Sequence, residues 1–122
     1  VIQGVVSPDG VPTIQVQVAN QEWAATIDTG FNGDLELPEA LRTSLNIRDT
    51  FGLVKFALAG GQTIEEYVYI VDFPFDGRLV EAAVTFVSDN QILIGTRLLQ
   101  DYWLQINFVT RTVALERVAA VS

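Results

Sequence analysis

The sequence predicts an all-β fold with one or two short helices. Three observations carry that expectation: apolar residues recur with a period of two, β-branched side chains are frequent, and the alternating runs are bounded by clusters of Gly, Pro, Asn and Asp. The first run, "PTIQVQVAN", alternates through Ile14, Val16 and Val18, and is broken at Asn20 and Gln21 before "EWAATI" resumes and runs into Asp28. Two such arms and a short break make a hairpin. A Gly-rich loop follows. Pro38 then stands where a helix can begin, and Leu41 and Leu45 are four apart in "EALRTSL", so a short helix or helical turn is expected at about 38 to 45.

"FGLVKFALAGGQTIEEYVYIVDF" supplies a second, longer hairpin whose arms meet at Gly60 and Gly61, residues that reach positive φ without steric cost. "DFPFDGRLVEAAVTFV" adds a turn at Asp76-Gly77 and a strand over about 79 to 87. "ILIGTRLLQDYW" reads as a buried strand passing through Gly95 into a short helical stretch, with Leu98 and Tyr102 on one side. "LQINF" and "TVALERV" close the chain as two further strands. No linker or low-complexity segment interrupts the sequence, so a single domain over 1–122 is expected, long enough to bury roughly two-thirds of its unfolded surface.

Composition narrows the chemistry. Without Cys there is no disulfide, thiolate nucleophile or thiolate metal site; without His the Ser-His-Asp relay and imidazole ligands are gone as well. Acid-base work falls to the carboxylates, fifteen Asp plus Glu against seven Lys plus Arg, for a net charge of -8. That balance repels phosphate backbones and no basic stripe offsets it, so nucleic acid is not an expected partner. Hydrophobic residues make up 49% of the chain, but no run reaches the roughly 20 residues of a bilayer span, so no membrane partner is expected either. No basic segment with an apolar stretch opens the sequence, which favours the cytoplasm and leaves the compartment open; the absence of any Met fits a trimmed or processed chain.

The loop "ATIDTGFNGDLELP" holds the candidate chemistry, and three readings of Asp28 compete. The plainest is a structural turn, since Asp caps turns through its own side chain and Gly permits the bend. The second is calcium: Asp28, Asn32, Gly33 and Glu39 match an EF-hand loop, but Gly30 stands at a ligand position, a strand precedes Asp28 and Pro38 falls just before the last ligand. No metal site is therefore expected. The third makes Asp28 half of a carboxylate dyad, in which two acids about 3 Å apart share one proton and activate a water without His, Cys, metal or other cofactor. Asp9-Gly10 and Asp76-Gly77 lack the Thr, so no second D-T-G exists in the chain and such a dyad has to form between two copies, with Asp28 near a two-fold axis.

"AATIDTG", a Gly-Gly hairpin about thirty residues on, and "ILIGTRLL" followed by "LQINF" resemble, in order and spacing, the retropepsin-like aspartic proteases of clan AA, in particular their bacterial and archaeal D-T-G-F branch. The likeness covers about residues 11 to 108. It implies a closed acid-protease barrel and an aspartic endopeptidase active as a homodimer on peptide or protein substrates, with Asp28 of each subunit holding the attacking water. It further implies that Thr29 hydrogen-bonds across the axis, that Gly30 lets the backbone approach the dyad, and that Ala59, Gly60 and Gly61 form a flap over the peptide. Ile94 and Gly95 would pack beneath the catalytic loop. Acid-shifted activity follows from a shared proton. The alternative is a silent dimerising or peptide-binding module of the same fold.

Three departures from the retroviral pattern stand out. Phe31 replaces the usual Ala or Ser and is expected either to narrow the cleft beside the substrate or to alter the acidity of the dyad; Thr96 replaces an Arg, with Arg97 one place on and a candidate partner for Asp34; and the chain runs fourteen residues past "INF", so that residues 112 to 118 are expected to pair back as a hairpin and alter the dimer. Trp23 and Trp103 read as core or interface, and Glu36, Glu65 and Glu66 as solvated charges.

Overall fold

A computed structural model describes residues 1–118, so the last four positions of the expected 1–122 span lie outside the described residues. The strands are β1 (Ile2–Val6), β2 (Pro12–Val18), β3 (Gln21–Ile27), β4 (Leu35–Pro38), β5 (Asn46–Ala57), β6 (Thr63–Phe75), β7 (Arg78–Val87), β8 (Ile92–Ile94), β9 (Tyr102–Asn107) and β10 (Thr112–Arg117). They form one sheet in the order β5-β6-β7-β4-β8-β3-β2-β1-β10-β9. Most pairs are antiparallel; β3 with β8 and β4 with β7 are parallel.

Alternation places the core. Ile14, Val16 and Val18 of β2 are buried while Gln15 and Gln17 between them are exposed. Phe73, Leu37, Val84 and Ile94 are closed to solvent from the other half of the sheet, and β6 packs across β2, although the two are not sheet neighbours. Trp23 packs against this core at half burial, its buried Nε1 without a hydrogen-bond partner, whereas Trp103 is 57% exposed.

Both tight hairpins use two-residue turns. Val18 pairs with Gln21 around Ala19 and Asn20, at φ 53 and 64, and Phe75 pairs with Arg78 around Asp76 and Gly77, at φ 54 and 76. Two successive positive φ values match the right-handed twist of the strands they join. The first turn lies one residue earlier than the sequence suggested.

Two expectations are corrected. The sheet does not close into a barrel: β5 and β9 end it and do not pair with each other. β5 loses register with β6 twice, between Ile47 and Asp49 and between Thr50 and Gly52, and such breaks bend an edge strand away. The distal hairpin thus reaches beyond the core, leaving Phe51, Leu53 and Tyr67 exposed. Second, the segment after Gly95 is a run of turns rather than a helix, with Leu99 N donating to Thr96 O and Tyr102 N to Leu99 O, because Tyr102 is drawn into β9 opposite Arg117. The expected helix at 38 to 45 is a 3-10 helix, Glu39–Ser44. Among the described residues no helix is long and apolar enough to cross a membrane.

Candidate active site

Asp28 follows directly on β3. Its backbone N–H donates to Ile94 O (2.9 Å), its carbonyl accepts from Phe31 N (3.1 Å), and its Oδ1 accepts from Gly30 N (2.9 Å). The turn reading is therefore correct as local structure: the side chain caps its own loop. The loop is also gripped from outside. Gly95 N donates to Asp34 O (2.9 Å), Thr96 N to Phe31 O (2.9 Å) and Arg97 N to Gly33 O (3.2 Å). With the Asp28 bond, four backbone hydrogen bonds sew residues 28–34 to residues 94–97.

This contact requires the glycine of "ILIG". A Cβ on Gly95 would lie 2.1 Å from Gly33 O and 2.8 Å from the Phe31 ring, a clash with backbone that no rotamer relieves. Ile94, in contrast, is fully buried, and its carbonyl accepts from Asp28 N. Gly30 is exposed, and a Cβ there would press on Asp28 Oδ1 at 3.3 Å. Thr29 is exposed as well, and Asp28 half-buried.

Phe31 is half-buried, its ring close against Gly33 and Gly95. It lines a cavity of about 230 Å³ together with Asp34, Leu35, Val54, Phe56 and Val68, next to but not including Asp28. The arms of the β5–β6 hairpin thus reach the Asp28 loop through Val54, Phe56 and Val68. The hairpin tip does not: Ala59, Gly60 and Gly61 are exposed, in a turn closed by Gly61 N to Leu58 O (3.2 Å) with both glycines at positive φ. A wider depression of about 720 Å³ around Asp76–Leu79 contains none of the loop residues, so size does not mark the site.

Two carboxylates near the loop have surroundings that the sequence did not disclose. Asp34 is 9% exposed; its Oδ2 accepts from Ala83 N (2.8 Å), tying the loop to β7, while Oδ1 lies 4.0 Å from Arg97 Nε. Arg97 and Asp34 do approach, but the backbone bond is the shorter contact. Glu36 is half-buried rather than solvated, and burial pushes its carboxyl above the ordinary value, with Glu66, Asp89 and Asp28 adding to the rise. It is covered because β4 lies inside the sheet, between β7 and β8, which the local sequence does not show. Glu39, the last position of the calcium pattern, is held instead by Arg42 (2.6 Å), which keeps its carboxyl below the ordinary value.

No protein-family model and no curated protein matches the sequence. Solved structures do. A retropepsin-like aspartic protease from Rickettsia conorii superposes with a TM-score of 0.63 over 93% of this chain and 88% of that one, at 18% identity. The chain has a retropepsin-like fold. The EIAV protease, solved with an inhibitor, shares that fold at TM-score 0.58 and 19% identity, over 78% of this chain and 90% of its own. The foamy viral protease-reverse transcriptase matches at TM-score 0.59 and 25% identity over 78% of this chain, which spans only 13% of that longer polypeptide. All three retropepsin-like neighbours cover most of the segment from β2 to β9, where the sequence resemblance lay.

Proposed function

We propose that the chain is an aspartic endopeptidase that works as a homodimer, with Asp28 of each copy forming the catalytic pair. The observation that carries this reading is the grip on the Asp28 loop: its backbone is fixed by four hydrogen bonds to residues 94–97, while Asp28 itself is only half-buried. Fixed backbone around an accessible acid is what preorganised chemistry needs. The retropepsin-like fold supports the same reading.

In the pair, one carboxylate takes a proton from the bound water as the water oxygen attacks the peptide carbonyl, while the protonated partner donates to the carbonyl oxygen. Collapse of the resulting diol breaks the C–N bond, and the amine leaves with a proton returned from the pair. Thr29 braces the two loops across the axis, and Gly30 leaves room for backbone on either side of the acids. Phe31 walls the adjoining cavity, Ile94 and Gly95 support the loop, and the Ala59–Gly61 tip closes over an extended peptide and excludes water.

The test combines a peptide-library digest from pH 3 to 7 with a measurement of mass in solution. Asp28→Asn is expected to abolish cleavage while preserving fold and assembly, since Asn still accepts from Gly30 N. Cleavage that survives the substitution places the chemistry elsewhere.

A further inference from the structure

Glu36 stands on the side of the sheet that carries Asp28. In the register of the strands it pairs with Thr85 of β7 and with Leu93 of β8, and Leu93 pairs in turn with Thr26 of β3. Residues paired across a sheet project from one face, and so do residues two apart on an extended strand. Thr26, Leu93, Glu36 and Thr85 therefore form a row on one face, and Asp28, two positions beyond Thr26 with its N–H still bonded to Ile94 O, continues that face. The residues flanking the row in sequence, among them Ile27, Leu35, Leu37 and Ile94, belong to the core on the other side. Thr85 also lines the cavity of about 230 Å³ beside Phe31. Glu36 thus lies on the surface over which a peptide bound at Asp28 runs.

The fold gives this carboxylate no partner. Among the described residues Glu36 enters no ion pair: Arg42 is held by Glu39, Arg48 by Asp72 and Glu81, and Arg97 approaches Asp34. The charged groups near it, Glu66, Asp89 and Asp28, share its sign. Glu66, two positions before the cavity residue Val68, is half-buried as well. A half-buried acid without a counter-charge costs stability, and a bound cation supplies what the chain does not. Leu93 offers an apolar surface beside it, along which the stem of a long basic side chain can lie with its head at the carboxylate.

We propose that Glu36 selects the substrate, pairing with a Lys or Arg side chain of the bound peptide, so that the chain cleaves extended segments carrying a basic residue near the scissile bond. The proposal rests on the reading of Asp28 as the catalytic acid. Glu36 is two strand spacings from β3, about 10 Å, a span that extended peptide covers in about three residues. The basic residue therefore lies within three positions of the bond that is cut.

Peptide libraries identical except for Lys, Leu or Glu at each of those positions test the assignment between pH 4 and 7. At one position the parent is expected to cleave the Lys series with kcat/KM about tenfold or more above the Leu series, the effect of one charge-assisted hydrogen bond. Glu36→Gln, which keeps the shape, is expected to bring that ratio close to one, and Glu36→Lys to move the preference to the Glu series. A parent without the preference, or a ratio that Glu36→Gln leaves intact, overturns the proposal. So does an equal change of kcat/KM in all three series, the mark of a residue that acts only through Asp28 or the fold. Binding separates this result from the chemistry. Asp28→Asn, titrated calorimetrically with the Lys and Leu peptides, is expected to bind the Lys peptide about tenfold more tightly and to lose that margin when Glu36→Gln is added; equal affinities before that addition overturn the proposal. Cleavage by Asp28→Asn sinks the catalytic reading instead and leaves Glu36 to be judged on the Lys-to-Leu ratio.

Discussion

Leu35 and Leu37 are buried on one face of β4, and Glu36 between them is turned to the other, beside Thr85 and Leu93 of the flanking strands. Charge and alternation both suggested a solvated residue; the flanking strands β7 and β8 half cover it instead. Burial first, and then Glu66, Asp89 and Asp28, hold its carboxyl above the ordinary 4.5. The folded chain thus binds this proton more tightly than the unfolded chain does, so stability is highest below about 4.5 and is lost as pH rises through the raised folded value. The group is partly solvated, which keeps the effect small. Glu36→Gln is expected to raise the denaturation midpoint at pH 7 and leave it unchanged at pH 4. An equal shift at both pH values would falsify the electrostatic account. Asp34 was legible only as a partner for Arg97, because its main contact, the N–H of Ala83 forty-nine positions away, is a product of the fold.

At the scale of elements, alternation and turn residues disclosed most strands, since both are local: β2, β3, the β5–β6 hairpin and the Asp76-Gly77 turn lie within a residue or a few of their expected places. β1 went unread because Gly4 interrupts "IQGVV", yet that glycine is there because β2 comes close; a Cβ would lie 2.1 Å from Thr13 O. The turns after Gly95 were mistaken for helix because their leucines have helical spacing, which cannot anticipate the pairing of Tyr102. The expected return of residues 112 to 118 is realised by β10 over Thr112–Arg117, and the strand pairs with both β9 and β1. The β5–β6 tip supplies the element's prediction. Gly60 sits at φ 94 with open space where a Cβ would go, so Gly60→Ala introduces backbone strain without a clash, about 1 kcal/mol. A modest loss of stability with a larger fall in kcat/KM is expected if this hairpin closes over substrate; unfolding curves and peptide kinetics measured together separate that outcome from an ordinary turn, whose alteration would leave kcat/KM intact.

For the whole molecule, closure of the sheet was the feature least accessible to local reading, because whether the last strand meets the first depends on bends accumulated along β5 and on which strand β10 chooses. In the proposed homodimer two copies carry -8 plus -8, or -16. Salt then acts in one direction. Screening over a Debye length of about 10 Å at 0.1 M weakens the mutual repulsion of the two bodies. The dimer dissociation constant is therefore expected to fall several-fold between 20 mM and 0.5 M salt at neutral pH. The salt effect shrinks toward pH 4 as carboxylates take up protons. Sedimentation equilibrium at fixed pH measures both trends. Dissociation by salt would mean instead that attractive charges between oppositely charged groups hold the copies together.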